Sequence, residues 1–185
     1  MRIMFGGSFN PPTVAHQQII THLSQIPQSE VIIVPNGDIY GIKELVAYSH
    51  RKAMIELLIA GITNVTICDI EQNRSFQGIV ATLRQLNHPV LAIGSDCLLQ
   101  LHSWKNAKEL LAENHFIIYC RNHTKEQVEN LIQTSVFLNQ YAQHFQILSV
   151  FIPDVSATTF RMTRNAAIVP TSVYQYIIKN HLYEV

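Results

Sequence analysis

The first sixteen residues, MRIMFGGSFNPPTVAH, constrain this chain more than any other stretch. A short apolar run, Ile3 to Phe5, leads into Gly6-Gly7, then Ser8-Phe9-Asn10-Pro11-Pro12, then an amphipathic pattern that carries His16. The order predicts a strand, a tight turn and a helix. Without a Cβ, Gly6 and Gly7 let backbone N–H groups approach a ligand closely, and the helix that follows aims its positive end at the same point. His16, in the first turn of that helix, can donate to a phosphate oxygen.

Beyond this unit, β-rich runs alternate with helical stretches. Strands are predicted over Ile3–Phe5, Val31–Val34, Val65–Cys68, Val90–Ile93, Phe116–Cys120 and Gln146–Phe151. Between them lie apolar stripes at helical spacing: Ile19, Ile20, Leu23 and Ile26; Ala53, Met54, Leu57 and Leu58; Trp104, Ala107, Leu110 and Leu111; Val128, Leu131, Ile132 and Val136. Continuously apolar strands such as VIIVP and VLAIG are expected when helices cover both faces of a sheet. The reading is an α/β chain with one doubly wound, mostly parallel sheet. At 185 residues it suits one domain, 1–185, with a sizeable core. The non-periodic piece from Pro35 to Ser49 reads as a surface loop of functional length.

Charge narrows the partners. Lys plus Arg and Asp plus Glu each count 13, so the chain has no net field to attract a nucleic-acid polymer or an anionic membrane. A phosphate ligand would need locally placed positive groups. The N-terminus opens on strand-like residues with no leader pattern, and no apolar run approaches the ~20 residues of a membrane span. Cys68, Cys97 and Cys120 are odd in number and widely spaced, which fits isolated, mostly buried thiols in a reducing cytoplasm. The nine histidines include no H-x-x-x-H or H-E-x-x-H, so no protein-held metal site is expected.

In a doubly wound sheet, ligands bind past the carboxyl ends of the strands. The segments to search are Gly6 to His16, Pro35-Asn36, Gly94-Ser95-Asp96, Arg121 and the region of Ser156. Near the C-terminus, Val155-Ser156-Ala157-Thr158-Thr159-Phe160-Arg161 places Ser156 as an N-cap, with Ser156 and Thr158 able to face an anion. Arg161, about a turn further on, can return to the same phosphates as a fixed cation. Leu91 to Asp96 reads as a strand ending in G-x-D, where a carboxylate can accept from both hydroxyls of a ribose. Trp104, the only tryptophan, is either core or a stacking plate for a heteroaromatic ring.

These residues carry a resemblance. Gly7 to His16 resembles the nucleotidylyltransferase signature G-x-F-x-P-x-[HT]-x-G-H, with Ala15 where the pattern has Gly, and Ser156 to Arg161 resembles the I-S-x-T-x-x-R motif of the same superfamily. With VIIVPN, SHRKAMIELLI, IGSDCLLQLHSW and FIIYCR in family order, nearly the whole chain resembles the bacterial nicotinate-nucleotide adenylyltransferases. The resemblance implies a Rossmann-like nucleotidylyltransferase fold, with the segment from about 154 completing an ATP site. It implies transfer of AMP from ATP to a pyridine mononucleotide in NAD biosynthesis, with Mg²⁺ carried by ATP. His16 and Arg161 would be the catalytic residues. ATP would be bound by Gly6, Gly7, Ser8, Phe9, Thr13, His16, Gly94, Asp96, Ser156, Thr158 and Arg161, with Thr13 in the place of the first His of many members. The acceptor would meet Asn36, Lys43, Arg121 and Trp104, the last stacked on the pyridine ring.

Two segments depart from the family pattern, both on the acceptor side. After Asn36 the family runs toward P-P-H-K, whereas this chain has Gly37 to Lys43, in which only Lys43 can reach a mononucleotide phosphate. Where the family places S-Y-T before a D-T-L-like helix, this chain has Ser75-Phe76-Gln77-Gly78-Ile79-Val80-Ala81-Thr82-Leu83, longer and without the Tyr-Thr pair. Nicotinate and nicotinamide mononucleotide therefore both stay open as acceptors. So do another phosphorylated acceptor, such as phosphopantetheine, and a non-catalytic nucleotide-binding relative.

Overall fold

The computed structural model describes residues 1–38, 45–73 and 78–184. Its centre is a six-stranded sheet of β1 (Arg2–Gly7), β2 (Glu30–Pro35), β3 (Val65–Ile67), β4 (Val90–Gly94), β5 (Phe116–Tyr119) and β6 (Phe145–Leu148), in the spatial order β3-β2-β1-β4-β5-β6. Every strand pairing is parallel, so the expected "mostly parallel" becomes all-parallel. The strand order reverses between β1 and β4, which puts the crevice for a ligand beside the Gly6-Gly7 end of β1. The last strand ends at Leu148 rather than Phe151, which stands 79% exposed beyond it.

Eight helices accompany the strands among the described residues: α1 (Val14–Gln25), α2 (Tyr48–Ile59), α3 (Ile79–Gln85), α4 (Ser95–Gln100), α5 (Ala107–Glu113), α6 (Lys125–Thr134), α7 (Ala157–Thr163) and α8 (Thr171–Lys179). Because side chains alternate along a strand, the sheet divides its apolar residues between two cores. Ile3, Phe5, Val31 and Ile33 face Ile19 and Leu23 of α1, Met54 of α2 and Val173 of α8. Met4, Ile32, Val34 and Leu91 face Leu83 of α3, Leu110 of α5 and Ile132 of α6. Both faces are covered, which is why these strands are apolar without alternation.

Three stripe positions come out differently. In α2 the buried stripe is Arg51, Met54, Ile55 and Leu58, at i, i+3, i+4 and i+7, and Leu57 lies off it, 38% exposed. Val136 falls beyond the end of α6 and is 86% exposed. Trp104 does not open α5. It follows a 3-10 turn, Leu101–Ser103, with its N–H on the Leu101 carbonyl (3.1 Å). Among the described residues no helix is long and apolar enough to cross a membrane.

Candidate active site

The loop from β1 to α1 is built around Thr13. Thr13 is the N-cap of α1, and its side chain accepts from the N–H of His16. The His16 ring closes the reciprocal half of the capping box, its Nδ1 accepting from the Thr13 N–H at 3.0 Å and lying 2.8 Å from Thr13 Oγ1. With Nδ1 occupied as an acceptor, the proton of the neutral ring sits on Nε2. Phe9 and Phe5 pack against the imidazole, with centroids at 5.0 and 6.1 Å. Desolvation among these groups, followed by the charge of Arg121, lowers the His16 pKa from 6.5 to about 4. The ring is thus a neutral donor at physiological pH.

Phe9 and Thr13, expected to touch ATP, are both wholly buried. Their side chains hold the His16 ring. The turn itself is also displaced from its expected position. Gly6 and Gly7 are the last residues of β1, and the left-handed residue is Phe9 (φ 46). A Cβ on Gly6 would meet only ordinary contacts with the protein. Both glycines line the cavity described below, so what they leave free is ligand space. Ala15, the departure from the signature, is buried and lines the same cavity.

At the end of β4, Gly94 leaves the space that the Asp96 carboxylate occupies. A Cβ there would collide with Asp96 Oδ1 and sit 3.4 Å from Arg121 Cδ. Arg121, just past β5, is held from several sides. Its N–H donates to Ser95 Oγ (3.0 Å), and its carbonyl accepts from Ser95 Oγ (2.9 Å) and His123 Nδ1 (2.8 Å). Its guanidinium pairs with Asp96 at 3.5 Å and donates to the Val155 carbonyl at 3.0 Å. Arg121, expected on the acceptor side, is thus joined to Asp96 and to the approach to Ser156, both expected to serve ATP.

Ser156 caps α7 as expected, accepting from the Thr159 N–H at 3.0 Å. Arg161 donates to the Asn10 carbonyl (2.6 Å) and to Thr158 Oγ1 (3.1 Å), which brings the C-terminal motif onto the N-terminal loop. Tyr183 supports the same junction, its hydroxyl donating to Asn10 Oδ1 (2.9 Å) while its ring meets Phe160 edge-on at 5.9 Å.

One cavity of about 780 Å³ lies at the carboxyl ends of the central strands, within the size range of small-molecule sites. Of the expected site residues, Gly6, Gly7, His16, Asn36, Gly94, Asp96, Trp104 and Arg121 line it. Ser8, Ser156, Thr158 and Arg161 are outside its lining, the last three on α7 or at its cap, alongside. Lys43 and Ser75 to Gln77 lie outside the described residues. The cavity also takes in Glu71, Lys105 and Asn106, which sequence reading did not single out, together with Cys97 and with Gly78 (φ +109, a glycine conformation) of the departing segment. Cys97 is half-buried rather than buried, and desolvation beside Asp96 pushes its thiol up to about 11. Among the described residues no group of three or more His, Cys, Asp or Glu is placed to hold a metal ion.

The residue most clearly missed is Arg51. It has no exposed surface, yet it stands in the apolar stripe of α2 and bonds carbonyls of two loops, Ser8 after β1 and Asn36 and Val46 between β2 and α2. A charge at i relative to Met54, Ile55 and Leu58 was the available signal.

The cytidylyltransferase-like family model matches residues 4–162. A curated protein of Acholeplasma laidlawii (strain PG-8A), "Probable nicotinate-nucleotide adenylyltransferase", is 30% identical over 100% of this chain and 98% of its own length. One of the same name from Salinibacter ruber is 31% identical over 97% and 96%. Among solved structures, Plasmodium falciparum nicotinic acid mononucleotide adenylyltransferase complexed with APC shares the fold at a TM-score of 0.78 and 21% identity, covering 98% of this chain and 96% of that one. Its complex with NaAD gives 0.77 at the same identity and coverage. The chain belongs to the cytidylyltransferase-like family, in its nicotinate-nucleotide adenylyltransferase branch.

Proposed function

We propose that this protein joins the AMP unit of ATP to nicotinate mononucleotide, releasing pyrophosphate, in NAD biosynthesis. The observation that carries the reading is the shared cavity. His16 and Asp96, suited to ATP, line the same space as Asn36 and Trp104, suited to the acceptor. The matching relatives by name, and the neighbouring structures by their NaAD and APC complexes, support the same assignment.

The chemistry follows from charge. An oxygen of the mononucleotide phosphate attacks the α-phosphorus of ATP in line. The new O–P bond forms as the bond to the bridging oxygen breaks, and its electron pair leaves with pyrophosphate. The attacking phosphate is already anionic, so no general base is needed. What the protein must do is hold two anions together and meet charge as it grows on the leaving group. His16 donates from Nε2 to a phosphate oxygen in a low-dielectric pocket, and being neutral it costs less to bury than an imidazolium. Arg161 and Arg121 supply fixed cations at the α7 side, with Ser156 and Thr158 beside them. Asp96 accepts from the ribose hydroxyls and Gly94 leaves room for that carboxylate. Trp104 stacks on the pyridine ring, in the cavity that Asn36 also lines.

We take Mg²⁺ to arrive with ATP, where it would help neutralise the phosphate charge. We also take residues 1–185 as one domain in which the segment from about 154 completes the ATP site. The cytoplasm is the proposed location, and three free, half-buried thiols are compatible with it.

Pyrophosphate release from ATP tests the reading, with nicotinate mononucleotide, nicotinamide mononucleotide and phosphopantetheine supplied in turn. Release with nicotinate mononucleotide at the highest kcat/KM is expected. Higher efficiency with phosphopantetheine, or no release with any acceptor, would overturn it.

A further inference from the structure

We infer that Arg51 is a positioning residue that sets the distance between the loop carrying ATP and the loop carrying the acceptor. The inference rests on the proposed reaction, because it concerns how the two substrates of that reaction meet.

A guanidinium without exposed surface is costly unless its donors are satisfied. Arg51 meets that requirement almost entirely with main-chain carbonyls. Nε donates to Val46 O (2.9 Å), Nη1 to Ser8 O (2.8 Å) and Nη2 to both Asn36 O (2.8 Å) and Asp38 Oδ1 (2.7 Å). Four of the five donors of a rigid planar fork are thus used. The Tyr48 ring lies under the same group, 5.4 Å from Cζ.

The origin of these acceptors gives the arrangement its meaning. Ser8 belongs to the loop after β1, between Gly7 and Phe9, whose ring packs on His16. Asn36 follows β2 and lines the cavity on the side suited to the acceptor. Asp38 and Val46 stand on either side of residues 39–44. Two further bonds join the same loops, Asn36 N–H to Gly7 O (2.8 Å) and Val46 N–H to Asn10 Oδ1 (3.1 Å). Asn10 in turn holds Arg161 through its carbonyl. A continuous path of hydrogen bonds therefore runs from Arg161, through Asn10 and Val46, to Arg51 and out to Asn36 and Asp38. In-line transfer depends on the separation of two bound anions, and a misplacement of about 1 Å from a remote change can cost ~10²-fold. Arg51 touches neither substrate in this arrangement; it acts through the loops.

The test compares Arg51→Lys and Asp38→Ala with the unmodified protein, well below their melting temperatures, with active sites counted by binding stoichiometry. A lysine keeps the charge but cannot span three carbonyls in one plane. Arg51→Lys should lose about 10- to 100-fold in kcat per site while KM for ATP and KM for the mononucleotide change less. Asp38→Ala removes one exposed carboxylate and leaves the three carbonyl bonds, so it should raise KM for the mononucleotide several-fold and leave KM for ATP alone. If Arg51→Lys does not fold, the KM split of Asp38→Ala decides, and a rise in both constants or in neither overturns the inference. Wild-type kcat and KM in a folded Arg51→Lys of lower melting temperature would also overturn it, making Arg51 a stabilising residue only. Hydrogen exchange gives a readout independent of turnover. Amides of residues 7–10 and 36–38 should lose protection together in Arg51→Lys while β1 and β4 keep theirs, and loss confined to α2 counts against the inference. If the unmodified protein releases no pyrophosphate, the functional reading fails on its own, and the exchange pattern still decides whether Arg51 joins the loops.

Discussion

His16 is held as a neutral imidazole, and that has a cost in acid. Unfolded, the side chain takes up a proton below its ordinary pKa of 6.5; in the folded protein it does so only near 4. Between those values the unfolded state binds more protons, so stability rises with pH and is lost as pH falls through the window. At about 1.36 kcal/mol per pKa unit, the full loss is about 3 kcal/mol, reached near pH 4 and constant below it. His16→Gln isolates this contribution, since glutamine does not titrate and can still fill the reciprocal position of the Thr13 capping box. Urea unfolding of both proteins at pH 7.5, 6.5, 5.5 and 4.5 gives the difference directly, and other titrating groups cancel. The wild type should fall progressively behind His16→Gln below pH 6.5. Parallel stability curves would refute the reasoning, because an imidazole that titrates normally in the fold cannot be the neutral Nε2 donor assigned here.

Other consequences can be checked by kinetics. His16→Ala should lower turnover by about 10²–10³-fold, the scale for one transition-state donor, with thermal stability measured alongside to exclude unfolding. Arg161→Lys should behave like Arg161→Ala in turnover, because a point charge cannot serve Asn10, Thr158 and a phosphate together; wild-type activity of the lysine variant would count against that role. Gly94→Ala should raise KM for ATP more than KM for the mononucleotide, as the added methyl displaces Asp96; an unchanged ATP constant would mean Asp96 does not meet the ribose. Trp104→Ala should raise KM for the mononucleotide several-fold to tenfold, from ~0.5–1.5 kcal/mol of stacking. A large fall in melting temperature with that constant unchanged would place Trp104 in the core instead.

Much of this molecule could be read from its strands. VIIVP, VLAIG and FIIY are buried on both sides, so their apolar runs announce themselves, and the residues just after them proved to line the cavity. The loops were less legible for identifiable reasons. Gly6-Gly7 looks like a turn in sequence but serves as strand, because the chain reverses at Phe9, a residue type that rarely marks a left-handed position. Thr13 carried a capping signal, and its pairing with His16 depends on a side chain reaching back three residues. Arg51 was hidden because an arginine in an amphipathic helix is normally on the wet face. Only its register with Met54, Ile55 and Leu58 shows otherwise. Asn10 and Tyr183 leave no local trace at all, since their contact spans 173 residues.

That span bears on when the site comes into being as the chain is synthesised. Residues that line the cavity are all delivered by Arg121, yet the groups that fasten Asn10 come from Arg161 and Tyr183, 151 and 173 residues after it. A ribosome therefore releases the walls of the pocket well before the fastenings of its phosphate loop. A nascent chain stopped after β6 would have a sheet and an open crevice, with the loop around Asn10 still lacking two of its partners. Ordering that loop requires closure over most of the chain's length, an entropic cost that grows only slowly with span but can be met only when the last helix has emerged. The loop around Asn10 is accordingly fastened late, by groups that follow every residue of the cavity wall in the chain.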